Sequence, residues 1–249
     1  MVDAAAIARE LCEWVPNEET RAATREMLER GDAEELEAHF GSRLAFGTAG
    51  LRGPMGVGTN KMNEAVVVQS TQGLCAYLEE YCGKEELQKR GVVIGFDHRS
   101  RGSLNSRRFG VLAASVFLHR GVRVRLFGEF AATPLVPFLV QKEGCVGGIV
   151  VTASHNPKED DGYKVYLGGS QIVPPHDAGI AAQIEANLAP WQDYARVDEA
   201  WVRAQEGCSD PQEDGVAAYV SAVAKELSWR SAEENAAEPP GVYTAMHGV

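Results

Sequence analysis

The sequence predicts an α/β fold in which a mixed, mostly parallel sheet lies between layers of helices, preceded by a helical arm. Two observations carry this prediction. From residue 44 onward, short apolar runs typical of strands alternate with helical segments of roughly 12–17 residues, the pattern of a layered α/β domain. The runs are apolar at nearly every position, as expected for parallel strands that are buried on both faces.

The first 43 residues are predicted to form an N-terminal helical arm. They are rich in Ala, Glu and Arg with helical spacing and contain no strand pattern. A turn is expected at Pro16. Thr20 is predicted to open a helix that runs toward Arg30, and Asp32 to cap a further short helix.

Residues 44–190 are predicted to form the α/β domain. Helices are predicted over 64–81, 105–120, 133–142 and 177–188, and strands over 92–96, 122–127, 148–151 and 163–167. In open α/β sheets, functional loops follow the carboxyl ends of the strands. The loops that begin at Asp97 and Thr152 are therefore expected to carry the site.

The remaining residues predict a linker and the start of a second unit. Residues 191–213 are polar and predict a linker. Residues 214–249 predict a helix over 214–227 and a strand over 242–246. A unit with one helix and one strand cannot close a core, so 214–249 is expected to be the incomplete start of a second α/β domain.

Composition and charge exclude several classes of function. The chain has 24 Lys and Arg against 35 Asp and Glu, for a formal net charge of −11. A field of this sign repels phosphates, so neither nucleic acid nor an anionic membrane is an expected partner. The five cysteines form no Cys-x-x-Cys pair, and no apolar run reaches the ~18 residues of a membrane span. Together with an acidic amino terminus, these features predict a cytoplasmic protein.

The strongest candidate for chemistry is Ser154, in the segment Thr-Ala-Ser-His-Asn-Pro at residues 152–157. A serine hydroxyl is a weak nucleophile unless it is activated, but a phosphoserine on a rigid loop can donate its phosphoryl group. Lys164 lies ten residues further on. An antiparallel return of the chain would bring its ammonium beside Ser154, where it could neutralise a phosphate or move a proton.

A glycine-rich segment supplies a second cluster. The sequence Phe-Gly-Thr-Ala-Gly-Leu-Arg-Gly at 46–53 begins a stretch with five glycines in thirteen residues. Glycine lets backbone approach a ligand closely, and the planar fork of Arg52 fits phosphate oxygens. Thr48, Gly50 and Arg52 are therefore candidate phosphate-binding residues. The segment matches neither the dinucleotide fingerprint nor the Walker pattern, which disfavours a nucleotide-binding domain.

A third cluster follows the predicted strand 92–96. Asp97 is predicted either to cap the next helix or to orient the backbone of its loop. Arg99 or Arg101 is predicted to add positive charge at the site, and Arg99 is retained as a candidate for phosphate binding.

At this point the residues resemble a known family. Thr152 to Pro157, with Gly162 and Lys164 downstream, resembles the active-serine signature of the α-D-phosphohexomutases. The glycine-rich segment is similar to the glucomutase branch of that family, which includes phosphopentomutase and glucose-1,6-bisphosphate synthase. That second similarity rests on 46–53 and on Met55-Gly56, Gly58-Thr59-Asn60 and Met62-Asn63. The resemblance covers roughly residues 14–190.

The resemblance implies a reaction and the residues that perform it. Phosphoserine 154 would give its phosphoryl group to a hydroxyl of a sugar phosphate, and the resulting bisphosphate would return its other phosphoryl group. His155, Lys164 and Arg52 match catalytic positions, and Asn156 matches a phosphate-binding one. The implied cofactors are Mg²⁺, bound to Ser154 through its phosphate, and a sugar bisphosphate such as glucose-1,6-bisphosphate as activator.

The sequence also departs from the family pattern. The family's Asp-x-Asp-x-Asp metal loop and its sugar and distal-phosphate loops are not among these residues. The chain is therefore expected to need the C-terminal domains of the same enzyme as partners, and to be inactive alone. The family usually has Asn where this chain has Asp161, which is expected to add negative charge near the site. The alternative is a non-catalytic module that binds phosphosugars or a protein.

Overall fold

The computed structural model describes residues 3–48, 50–242 and 244. Its helices are α1 (Ala4–Trp14), α2 (Glu18–Arg30), α3 (Ala33–Phe40), α4 (Glu64–Cys82), α5 (Lys84–Arg90), α6 (Ser106–His119), α7 (Leu135–Lys142), α8 (His176–Ala186), α9 (Glu199–Arg203), α10 (Gln212–Leu227) and α11 (Ala232–Ala236), with a 3-10 turn at Tyr194–Arg196. Its strands are β1 (Leu51–Pro54), β2 (Val92–Phe96), β3 (Ser100–Arg101), β4 (Leu104–Asn105), β5 (Val124–Leu126), β6 (Gly147–Val151), β7 (Asp160–Leu167), β8 (Ser170–Gln171) and β9 (Cys208–Ser209).

A seven-stranded sheet forms the middle layer. Its strand order is β1-β7-β6-β2-β5-β9, with β8 paired to β7. The strands β6, β2, β5 and β9 run parallel, whereas β7 is antiparallel to β6, β1 and β8. Helices cover both faces, so the structure confirms the predicted α/β fold class.

The two faces of the sheet have separate cores. Alternate residues of a strand point to opposite faces. Ile94 and Phe96 of β2 therefore belong to the core formed with α4 and α6, and Val93 belongs to the core formed with α7. All five residues of β2 and all five of β6 are buried. This burial explains why both strands were predicted from continuous apolar runs.

The N-terminal arm is helical, as predicted, and packs outside the sheet layers. Its helices α1, α2 and α3 have their own apolar core around Phe40 and reach the sheet domain through Ala65 of α4. The cap of α2 differs from the prediction. Asn17, and not Thr20, caps the helix, and its side-chain oxygen accepts the Thr20 backbone N–H at 2.9 Å. Asn is a preferred cap residue, and the acidic Glu18 and Glu19 follow it in the first turn.

The segment 191–213 differs from the predicted linker. It contains the 3-10 turn, α9 and the edge strand β9, which pairs in parallel with β5. Tyr194, Val197 and Val202 are buried in the core of the α4–α6 face. Three isolated apolar side chains anchor the segment, too few to form a sequence pattern. The predicted divisions at 43, 190 and 213 stay predictions, and most of the predicted strand 242–246 lies outside the described residues.

No helix in the part of the chain that the structure describes is both long enough and apolar enough to cross a membrane.

Candidate active site

Ser154 lies on a tight loop at the carboxyl end of β6, half-buried. Its φ of 59° is in the left-handed region, and it is the one described residue other than glycine with a positive φ. That conformation costs of the order of 1–3 kcal/mol and persists only where neighbouring contacts hold it. One such contact is local, because the Ser154 N–H donates to Thr152 Oγ1 at 2.9 Å.

Arg99 is the residue that holds this loop in place. Its Nη2 donates to the carbonyl oxygens of Ser154 and Asn156 at 2.5 and 3.0 Å. Its Nη1 donates to those of Pro157 and Asp160 at 2.6 and 3.0 Å. Its Nε donates to Asp97 Oδ2 at 3.0 Å, and the guanidinium is almost completely buried. A guanidinium has five N–H groups, and here each has an acceptor.

Arg52 reaches the same loop from β1. Its Nη1 donates to Asn156 Oδ1 at 2.9 Å, and Asn156 Nδ2 in turn donates to Asp160 Oδ2 at 2.9 Å. Asn156 follows Ser154 by two residues, so their Cα atoms are at most about 7 Å apart. The structure therefore brings Arg52 to the Ser154 loop through the Asn156 side chain.

Lys164 lies on the same face of the sheet as Arg52. Arg52 pairs with Gly162 of β7, and residues 162 and 164 share a face of that strand. Burial lowers the pKa of the Lys164 ammonium, and the neighbouring guanidinium of Arg52 lowers it further. Arg52 at the loop and Lys164 on the same face of the sheet place two cationic side chains near each other in an acidic chain, which favours phosphate binding.

The other predicted site residues are His155, Thr48 and Gly50. His155 is exposed beside Ser154. Gly50 and Gly47 exchange backbone hydrogen bonds of 2.8 and 3.0 Å, so Thr48 is exposed in the turn between them. The Thr48 carbonyl accepts Gln171 Nε2 at 2.9 Å. Gly50 has a φ of +76°, and a Cβ there would lie 1.9 Å from the Tyr163 carbonyl oxygen.

A buried acidic cluster lies beneath the loop. Asp97, at the end of β2, and Asp161, on β7, are 1% and 0% exposed. The Ser106 hydroxyl of α6 lies 2.6 Å from Asp97 Oδ1 and 2.9 Å from Asp161 Oδ2. Burial raises the pKa of Asp161 to about 7, and the Asp97 carboxylate adds to the rise. Asp97 also accepts the Arg99 backbone N–H at 3.0 Å, so it orients the loop. Asn105, and not Asp97, caps α6.

The residues of this site lie in a segment that matches a known protein family. Residues 43–190 match the family described as "Phosphoglucomutase/phosphomannomutase, alpha/beta/alpha domain I". The chain belongs to the phosphoglucomutase/phosphomannomutase family. The matched residues contain β1, β2, β6 and β7, and thus every residue of the site described above.

Relatives within the phosphoglucomutase/phosphomannomutase family cover different shares of the chain. Phosphopentomutase from Mus musculus is 48% identical over 181 residues, which are 72% of this chain and 29% of the relative. Glucose 1,6-bisphosphate synthase from Homo sapiens is 38% identical over 242 residues, which are 95% of this chain and 38% of the relative. The chain thus spans less than two fifths of the length of either relative.

A solved structure agrees with the family assignment at the level of the fold. The phosphoglucomutase/phosphomannomutase family protein from Burkholderia thailandensis matches with a TM-score of 0.51 and 22% identity. The match covers 74% of this chain and 35% of that one.

The geometry corrects one expectation about this domain I. Arg99 was predicted to bind phosphate, but all of its N–H groups are occupied by the loop and by Asp97. It supports the serine loop from the buried side, and no N–H group of its guanidinium is left to donate to a ligand. Sequence reasoning missed Ser106 altogether, because a serine at the start of a helix is ordinary. Only the approach of β2 and β7 gives it two acidic neighbours.

The described residues of this domain do not form a magnesium site by themselves. Among them, no group of three or more His, Cys, Asp or Glu side chains is arranged to hold a metal ion. Asp160 Oδ2 is bound by Asn156, and Asp97 and Asp161 are buried. Mg²⁺ is normally bound through one or two carboxylates together with phosphate oxygens and water, so the described carboxylates do not supply a complete set of ligands by themselves.

Proposed function

We propose that this chain carries the phosphoryl-donor serine of a phosphosugar mutase, with Ser154 as the carrier. The reaction would interconvert sugar 1-phosphates with 6-phosphates or 5-phosphates through a sugar bisphosphate. The observation that carries the proposal is the Ser154 loop itself. A serine in a left-handed conformation is clamped by Arg99, and two further cations, Arg52 and Lys164, lie on the adjoining face of the sheet.

The proposed step breaks and forms one bond to phosphorus. The bond between phosphorus and Ser154 Oγ breaks as a bond to a sugar hydroxyl oxygen forms, and the proton of that hydroxyl passes to a basic group of the site, proposed to be Lys164. Ser154 Oγ becomes the leaving group and takes a proton when the step is complete. In the second half, the bisphosphate returns its other phosphoryl group to Ser154 by the reverse sequence. Such transfers depend mainly on positioning and on charge neutralisation.

The residues near Ser154 have distinct proposed roles. Arg52 neutralises phosphoryl oxygens through its guanidinium, and Asn156 holds that guanidinium at the loop. Lys164 has a lowered pKa, so a larger share of it is neutral near pH 7 than for an ordinary lysine. It is therefore the proposed proton acceptor, with the exposed His155 as a second group beside the reacting oxygen. Thr48 and Gly50 stay predicted phosphate-binding residues.

The substrate class follows from the names of the relatives. They are called phosphopentomutase and glucose 1,6-bisphosphate synthase, which supports pentose and hexose phosphates as substrates. A sugar bisphosphate is the proposed activator, since it can phosphorylate a free Ser154. Magnesium is the ion expected in the family. The C-terminal domains of the enzyme are the proposed source of the remaining contacts, and the cytoplasm stays the predicted location.

Phosphorylation of Ser154 tests the proposal directly. The chain joined to the C-terminal domains of its enzyme is incubated with glucose-1,6-bisphosphate and Mg²⁺, and the intact mass and phosphopeptides of the product are measured. We expect one added phosphoryl group on the peptide that contains Ser154, and none in Ser154→Ala. Ser170→Ala is the matched control, because Ser170 is exposed on the short strand β8.

Two results would contradict the proposal. A phosphoryl group on another residue would remove Ser154 from its role. Binding of the sugar bisphosphate by wild type and Ser154→Ala alike, without phosphorylation of either, would favour the alternative of a non-catalytic phosphosugar-binding module.

A further inference from the structure

We propose that Asp161 works as a neutral carboxylic acid, and that in this form it is a positioning residue for the Ser154 loop. It would act through a chain of hydrogen bonds that runs from Asp161 through Ser106, Asp97 and Arg99 to Ser154. The effect on phosphoryl transfer rests on the proposed function above, whereas the protonation of Asp161 does not.

The position of Ser106 is the first reason. Its hydroxyl oxygen lies between two buried carboxyl groups, 2.6 Å from Asp97 Oδ1 and 2.9 Å from Asp161 Oδ2. A hydroxyl can donate only one proton at a time. If both acids were ionised, one of the two buried carboxylate oxygens would face Ser106 Oγ with no proton between them.

A single added proton gives every group in this hydrogen-bond chain a partner. Placed on Asp161 Oδ2, it is donated to Ser106 Oγ, and the Ser106 proton is then donated to Asp97 Oδ1. Asp161 Oδ1 accepts the Gly162 N–H at 2.7 Å, and Asp97 Oδ2 accepts Arg99 Nε at 3.0 Å. Each oxygen then has a partner, as buried polar groups require.

The surrounding charges favour the same protonation state. The charged groups that face Asp161 are the Asp97 carboxylate, which is repulsive, and the Arg99 guanidinium, which is attractive but bonded to Asp97. Burial is the largest cause of the raised pKa of about 7, while Ser106 and the Gly162 N–H oppose the rise.

The charges of Asp160, Lys164 and Arg52 lie on the opposite face of the sheet. Side chains alternate along β7, so Asp161 shares its face with Tyr163, whose hydroxyl lies 2.9 Å from Thr71 Oγ1 of α4. Asp160 and Lys164 are on the other face, with Arg52 of β1. Asp160 is already bound by the Asn156 side chain. Asp161 and the charged groups that face it therefore comprise two carboxyl groups and one guanidinium, and the added proton brings their net charge to zero.

The chain reaches the serine through Arg99. Asp97 fixes Arg99 at two points, its backbone N–H and its Nε, each at 3.0 Å. Arg99 Nη2 in turn holds the Ser154 carbonyl at 2.5 Å. When Asp161 loses its proton, Ser106 has two anionic acceptors for one proton. We expect its hold on Asp97, and so the position of Arg99 and the loop, to weaken.

Two variants of Asp161 distinguish the effect of a neutral side chain from the effect of losing its hydrogen bonds. In Asp161→Asn, the side-chain NH₂ can donate to Ser106 and the oxygen can accept Gly162 N–H, so the chain stays complete at every pH. In Asp161→Ala the hydrogen-bond chain is broken, because alanine can neither donate to Ser106 nor accept the Gly162 N–H. Glu159→Gln is the matched control, since Glu159 is an exposed acid two residues away whose side chain contacts only Lys158 in the described structure.

The first measurement is the titration of the Asp161 carboxyl by carbon NMR or infrared spectroscopy. We expect a protonated carboxyl signal at about pH 6 in wild type and Glu159→Gln that is absent in Asp161→Asn. A carboxyl that is already ionised at about pH 5 would overturn the proposal.

The second measurement is the rate of Ser154 phosphorylation by glucose-1,6-bisphosphate between about pH 6 and 8.5. We expect Asp161→Asn to keep the wild-type rate at low pH and to lose the decline that wild type shows as Asp161 ionises. Asp161→Ala should be slower by about tenfold or more throughout, as expected for a broken buried hydrogen-bond network. Equal rates for the Asn and Ala variants would refute the positioning role. Absence of phosphorylation in wild type would instead contradict the proposed function, and the carboxyl titration would still decide the protonation of Asp161.

Discussion

Replacement of Arg99 by lysine should destabilise the protein while keeping the positive charge. The arginine donates five hydrogen bonds, one to Asp97 and four to carbonyl oxygens of the Ser154 loop. A lysine ammonium has three N–H groups and lacks the planar fork. At least two of these five acceptors therefore lose their donor.

The size of the effect follows from this count. A hydrogen bond to a charged group contributes about 1.5–3 kcal/mol, and some of the freed carbonyls will be hydrated. We expect Arg99→Lys to lower the free energy of unfolding by about 2–4 kcal/mol. At about 2–4 °C per kcal/mol for a chain of this length, Tm should fall by about 4–16 °C.

Differential scanning calorimetry and urea unfolding would measure the change. Arg123→Lys is the matched control, because Arg123 is exposed, and exposed substitutions usually stay within about 0.5 kcal/mol. If the two variants had the same Tm, the clamp assigned to Arg99 would be wrong. If Arg99→Lys were stable but its loop were rearranged, amide exchange at residues 154–157 would reveal it.

Three further predictions test other parts of the structure. Gly50→Ala should cost more than about 3 kcal/mol in urea unfolding, because its φ is +76° and a Cβ would lie 1.9 Å from the Tyr163 carbonyl oxygen; an unchanged midpoint would mean that the turn is placed wrongly. Asn63→Ala should cost about 2–3 kcal/mol by the same assay, since Asn63 caps α4 and also donates to loop carbonyl oxygens; a cost below about 0.5 kcal/mol would contradict these contacts. In Arg52→Gln, the pKa of Lys164, measured by nitrogen NMR, should rise toward its ordinary value, because the guanidinium of Arg52 lowers it in the wild type; an unchanged pKa would show that Arg52 does not act on Lys164.

The parallel strands could be predicted from the sequence because both of their faces are buried in apolar surroundings. β2 and β6 are buried on both faces and consist of apolar residues and glycine, a pattern that needs no tertiary information. The Ser154 loop could be predicted for the same reason, since it follows directly from β6. The cap at Asp32 was also correct, because it acts within its own helix turn.

The remaining features depend on contacts between distant segments. β1 was not predicted, because Leu51–Pro54 contains a glycine and a proline and becomes a strand only by pairing with β7. Arg99 was expected to meet a ligand, since a charged residue in a loop is normally exposed. It is buried because four carbonyls from residues 154–160 converge on it. Asp161 was expected to add negative charge, and its complete burial with a raised pKa argues for a neutral acid near pH 7 or below.

The antiparallel pairing of β1 with β7 has a consequence for the order of folding. The Arg52–Asn156 contact joins residues 104 positions apart, whereas β6 and β7 are adjacent in the sequence. Closing long loops is entropically costly, and distant pairings form more slowly than local ones. During synthesis, the β6–β7 hairpin can form as soon as it emerges, but Arg52 must wait for β7 before it can dock. Arg52 should therefore dock after β6 and β7 have paired, so the site that already carries Ser154 and Lys164 gains its second cation late in folding.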